Sequence, residues 1–164
     1  MAMAPPARAQ SGEARCENPP PAFALSESNR LRGADLLTLV SGNTMTYVRR
    51  SLVNQAQNRY LKLRRLFRTD GSMLFTCEMG PSPGGPWRSC RQVATPRTKI
   101  EGNREVGVWH VRAESLCFQF VTVGSREPVC FAIHRAGTRY FAKTTRAVLN
   151  CVEGDVAIGP QTAP

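Results

Sequence analysis

The stretch GVWHVRAESLCFQFVTVGSREPVCFAIH, residues 107–134, decides the fold. Residues face each other across an antiparallel hairpin only when they are symmetric about its turn, and a one-residue slip sends every side chain to the wrong face. Val111 is placed opposite Leu116 across a turn at Arg112–Ser115, and Cys117 opposite Cys130 about Gly124-Ser125. In that register one face carries Trp109, Val111, Leu116, Phe118, Phe120, Val129, Phe131 and Ile133. The other face carries Val108, His110, Arg112, Cys117, Gln119, Val121, Cys130, Ala132 and His134. An antiparallel sheet with one buried face requires this separation. Trp109 therefore reads as core, and His110 as pointing away from it.

The cysteines extend the argument. Cys77 and Cys90 repeat the separation of Cys117 and Cys130, with Pro83-Gly84-Gly85-Pro86 at their midpoint. Both pairs thus fall opposite each other across a hairpin, where Cα atoms stand roughly 4.5–5.5 Å apart, within disulfide reach. Cys16 and Cys151 then pair by elimination. No C-x-x-C and no Cys/His cluster at ligand spacing is present, so the cysteines read as disulfides rather than zinc ligands, which places the chain in an oxidising compartment.

Working outward, Gly33–Val40 reads as a short helix closed by Gly42. Strands are expected at 43–49, 59–68, 73–79, 87–94, 105–112, 116–123, 128–135, 138–143 and 147–152. Asp70-Gly71 supplies the strongest hairpin turn, 95–104 reads as a loop, and Glu153-Gly154-Asp155 as a turn. Residues 51–68 fit two patterns. One is a basic amphipathic helix through Leu52, Ala56, Tyr60, Leu63 and Phe67; the other, preferred for its Asp-Gly turn, is a loop followed by a strand. The fold class is mainly β: an antiparallel meander of about eight or nine short strands closing into a small barrel, with one short N-terminal helix.

The 164 residues suffice for one core, and 41% hydrophobic residues are ordinary for a globular chain. No apolar run approaches the length of a membrane-spanning helix. Residues 1–28 read as a flexible Ala/Pro-rich arm, 29–158 as a single disulfide-stapled domain and 159–164 as a tail. Ala7-Arg8-Ala9 before Gln10 fits a signal-peptidase site as well as it fits a flexible terminus, and the cysteines favour the export reading. A run of landmarks goes from the short helix before Gly42-Asn43-Thr44 and Phe67 before Asp70-Gly71 to Gly107-Val108-Trp109-His110-Val111. It continues with Leu116-Cys117, Cys130-Phe131 and Gly137-Thr138-Arg139-Tyr140. In order and spacing it resembles a group of small bacterial secreted proteins with a lipocalin-like or related β-barrel domain. The resemblance implies export and a barrel-like fold, and carries over no catalytic residue. The Cys77–Cys90 hairpin looks like an addition to that pattern.

Material for chemistry is scarce, with two histidines and 12 acidic residues. In the proposed register His110 lies beside Cys117, where a disulfide leaves no thiolate to activate. His134 stands four residues along the strand from Cys130, roughly 13 Å at 3.4 Å per residue, too far for both histidines to share a metal. Glu101 with Glu105 and Glu153 with Asp155 read as solvated charges at turns. No catalytic residue, metal or cofactor is expected.

Charge is the functional signal. The net charge is +10, and 19 of the 22 basic residues are arginine. Seven basic residues fall between Arg49 and Arg68, with no acidic residue between Asp35 and Asp70. Such a field attracts anionic partners, and arginine's planar fork suits phosphate and carboxylate. The expectation is a non-enzymatic binding module, periplasmic or secreted. It would recognise an anionic polymer or lipid headgroup of the envelope through Arg49, Arg50, Arg59 and Arg64. The alternatives are nucleic-acid binding, for which stacking aromatics are sparse, an exported barrel inhibiting a hydrolase as its protein target, and a carrier of a small apolar ligand.

Overall fold

Apolar residues at alternate positions of short segments, separated by turn residues, give ten strands in the computed structural model, which describes residues 26–50, 59–90, 99–102, 104–120, 128–146 and 152–160. They are β1 (Thr44–Arg50), β2 (Tyr60–Phe67), β3 (Ser72–Gly80), β4 (Arg88–Ser89), β5 (Ile100–Glu101), β6 (Arg104–Arg112), β7 (Ser115–Phe120), β8 (Val129–Ala136), β9 (Arg139–Arg146) and β10 (Val152–Gly159). Consecutive strands pair antiparallel from β1 to β4 and from β5 to β10. Two longer-range pairings close the sheet: β10 returns to β1, with Thr44 opposite Gly159, and β3 meets β6, with Phe75 opposite Glu105. Eight strands therefore form a closed antiparallel barrel, to which the two-residue strands β4 and β5 are added. Closure leaves no open edge on these eight strands.

The two ends of the barrel differ. At one end the connections are tight. In the β2–β3 turn Gly71 takes φ +84°, and Asp70 Oδ1 accepts from the Ser72 amide at 2.8 Å and from its hydroxyl at 2.6 Å. Those hydrogen bonds hold the Asp70 carboxyl below its ordinary pKa. The β6–β7 turn places Ala113 and Glu114 at φ 45° and 63°, the left-handed pair of a two-residue hairpin loop. Helix α1 (Gly33–Val40) closes this end. Its Leu36 and Val40, four apart and so on one helix face, are fully buried in a cluster with Met45, Phe67, Met73 and Trp109. Asn43 Nδ2 donates to the Leu39 carbonyl at 2.7 Å, satisfying an orphan acceptor of the last helical turn. At the opposite end β1, β3, β7 and β9 finish and β2, β6, β8 and β10 begin.

The expected register holds. Val111 faces Leu116, His110 faces Cys117, and Cys117 faces Cys130. All eight residues assigned to the inner face belong to the core or pack directly against it. Cys77–Cys90 and Cys117–Cys130 are disulfides, with Cα atoms 5.3 and 4.0 Å apart; Cys16–Cys151 lies outside the described residues. Of the two patterns for 51–68, the strand is found over 60–67, and 51–58 lies outside the described residues.

Three local expectations are corrected. The last strand runs over 152–159, so Glu153-Gly154-Asp155 sits inside a strand rather than in a turn, with a register shift between Val152 and Gly154. Residues 100–101 pair with β6, so the 95–104 segment is not all loop, while Glu105 lies in the strand expected at 105–112. On the returning side of the Cys77–Cys90 hairpin, Arg88–Ser89 is the strand found among the described residues, with Glu78 opposite Ser89 and Met79 opposite Arg88, and 91–94 of the expected strand lies outside the described residues.

The outer face of β8 is also buried, which simple alternation does not anticipate. Residues 26–32 lie along it: Arg30 bridges to His134, the Leu31 amide donates to the Ile133 carbonyl at 2.8 Å, and Arg32 pairs with Glu27 at 2.6 Å and Glu114 at 3.2 Å. Cys117, Cys130, Ala132 and His134 consequently turn away from the barrel core and are still buried.

Candidate functional site

The end of the barrel away from α1 gathers several of the basic residues singled out from the sequence. β1 finishes at Arg49 and Arg50, and β2 begins just after Arg59, with Arg50 opposite Tyr60 and Arg49 opposite Leu61. Strand pairing thus draws together residues ten positions apart. The sheet also sorts them by face. Arg49 shares the inward face of β1 with Met45 and Tyr47, and is half-buried. Arg59 is exposed at the rim, its Nη1 3.6 Å from the Met79 sulfur.

Arg64 does not join this group. It projects outward from β2, and its Nη2 lies 3.4 Å from Glu78 Oε2, an oxygen shared with Lys62 Nζ at 3.7 Å. Those pairs are half-exposed and contribute little stability, yet they offset much of the positive field on that face. Lys62 also stands 5.5 Å from the Trp87 ring centroid.

Alternation along β2 puts Arg64 and Arg65 on opposite faces. The structure buries Arg65 inside the barrel at 7% exposure. The signal was the alternation Leu61, Leu63, Arg65, Phe67: one strand face that is apolar except for a single arginine. Glu105 lies on the same inward face, separated from Arg65 by Phe75, since Arg65 pairs with Phe75 and Phe75 with Glu105. Burial raises the Glu105 pKa.

The histidines sit apart from this end of the barrel. His110 is exposed on the outer face of β6. His134 is 3% exposed, and its Nδ1 lies 3.1 Å from the Ser26 carbonyl. That carbonyl can only accept, so Nδ1 carries the proton in this contact. Burial, helped by nearby Arg30, lowers the His134 pKa. Among the described residues no three His, Cys, Asp or Glu side chains form a group able to hold a metal ion. Two disulfides indicate an oxidising, extracytoplasmic environment. No helix among the described residues is long and apolar enough to cross a membrane.

The chain matches no family model, no curated protein and no solved structure.

Proposed function

We propose that this protein is a non-enzymatic binding module of the periplasm or the secreted fraction, which recognises an anionic envelope component at the basic end of its barrel. The observation that supports the reading is the placement of Arg49, Arg50 and Arg59 at one barrel end by the pairing of β1 with β2. Long guanidinium side chains at a rim can close on a single phosphate or carboxylate group. A disulfide-stapled barrel in an oxidising compartment meets phosphorylated glycolipids and acidic polysaccharides there. This fits the likeness to exported lipocalin-like barrels and disfavours a nucleic-acid target.

The test is binding to dextran sulfate, to vesicles containing an anionic phospholipid and to single-stranded DNA, across a salt series. Affinity for the polysaccharide or the vesicles should fall steeply with salt, because the Debye length is only about 8 Å near 0.15 M. Replacing Arg49, Arg50 and Arg59 by Gln should weaken it far more than replacing Arg112, Arg135 and Arg139 at the helix-capped end. Equal losses from the two sets would reduce the effect to net charge. A preference for DNA at matched ionic strength would replace this reading with the nucleic-acid one.

A further inference from the structure

A charged side chain inside an apolar barrel needs a reason. The Arg65 guanidinium carbon stands 4.3 Å from the Phe118 ring centroid, 5.0 Å from Phe75, 5.3 Å from Tyr47 and 5.9 Å from Phe131. Its Nη1 donates to Tyr47 Oη at 2.7 Å. Its Nε is buried with no acceptor. Among the described residues no carboxylate comes within the 4.0 Å of an ion pair: Glu105, on the same inward face, makes none, and Glu78 is on the outside with Lys62 and Arg64.

Four aromatic faces stabilise a cation, but they do not use the hydrogen-bonding fork that distinguishes arginine from other residues. Burying an unpaired charge is costly, and an apolar side chain of similar length in the same place would remove that cost. A guanidinium left with an unsatisfied donor is shaped to take two oxygens of an acid group. The surroundings say what that group is attached to. Toward α1 the interior is plugged by Leu36, Val40, Met45 and Phe67. Toward the other end the apolar inward neighbours of Arg65 are Leu61, Leu63, Phe120 and Val129, and the inward face there also carries Arg49 and Glu105.

We propose that Arg65 and Tyr47 form an interior site for the carboxylate of a small monoanionic compound with an apolar body, its acid group deep in the barrel and its body toward the end away from α1. The site is separate from the rim arginines and stands whether or not the rim binds a polyanion.

Calorimetric titration with laurate, 3-phenylpropionate and dodecanol tests it and distinguishes a fatty from an aromatic acid. At least one of the two acids should bind, and laurate should exceed dodecanol by about tenfold or more, the scale of a charge-assisted hydrogen bond. Arg65→Met should abolish that preference while melting no lower than the parent. Should Arg65→Met fail to fold, Arg65→Lys, which keeps the charge and loses the fork, should bind the acid several-fold more weakly. Arg50→Gln with Arg59→Gln should leave acid binding intact even where it abolishes binding to dextran sulfate. Equal affinity for laurate and dodecanol, no acid binding at millimolar concentration, or an acid preference that survives in Arg65→Met would overturn the proposal.

Discussion

Trp109 Nε1 donates to the main-chain carbonyl of Arg68 at 2.8 Å, tying β6 to the β2–β3 turn across the barrel seam. The Trp109 amide also donates to the Gly71 carbonyl at 2.9 Å, and its ring meets Phe67 edge-on at 5.5 Å. One residue thus joins the non-local β3–β6 closure to the helix-capped core.

Trp109→Ala should therefore destabilise the protein by about 3–5 kcal/mol, the range for deleting a buried aromatic side chain. The neighbouring His110→Ala, on the exposed face, should stay within about 0.5 kcal/mol. Denaturant melts of the two variants decide the matter; a costlier His110 variant would mean that the two faces are inverted.

Gly107 marks a close approach inside the barrel. A Cβ there would stand 2.6 Å from the Gln119 carbonyl oxygen and 2.6 Å from Met73 Cε. The methionine can move, but the backbone oxygen belongs to the paired strand β7. Gly107→Ala should cost about 1–3 kcal/mol, as overpacking does. A melting temperature equal to that of the parent would show that β6 and β7 can separate locally without loss.

His134 makes the N-terminal segment sensitive to acid. Its pKa is lowered in the folded protein, so the unfolded chain binds the proton more readily. Stability from this group is complete above the ordinary value of 6.5 and declines as pH falls through it toward the lower folded value. The charges around the ring are Arg30 and Lys143, which oppose protonation, and Glu27, which favours it. Unfolding free energy should drop between pH 7.5 and pH 5, and His134→Gln should flatten that drop. An unchanged slope in the variant would overturn the assignment to His134, because Asp70 and Glu101, whose pKa values are lowered from 3.8 and 4.5, contribute their pH dependence below this window.

How much of this was legible in the chain divides along the range of the interactions. Hairpin register is local: turn residues at Arg112–Ser115 and a symmetric cysteine pair place Cys117 opposite Cys130 with no knowledge of the rest of the molecule. Helix Gly33–Val40 and strand β2 were likewise readable from periodicity and turn chemistry. The end of the last strand was missed because Glu153-Gly154-Asp155 has turn composition, and it becomes strand through pairing with β9.

The sequence by itself determined the alternation of faces, the two hairpin disulfides and the density of arginine between positions 49 and 68. Tertiary structure alone decided what surrounds the arginine that went inside. Alternation puts Arg65, not Arg64, on the apolar face of β2, but the rings packed around it come from strands brought together by the closure of β3 on β6 and β10 on β1. Leu63 and Phe67 turn inward with the core, and Arg65, two residues from each, has to follow them. The burial of His134 was decided the same way, by residues 26–32 folding back over a strand more than 100 positions away. Contacts of that separation leave no periodic trace in the segments that make them, because the pleat fixes where a side chain points and only packing fixes what covers it.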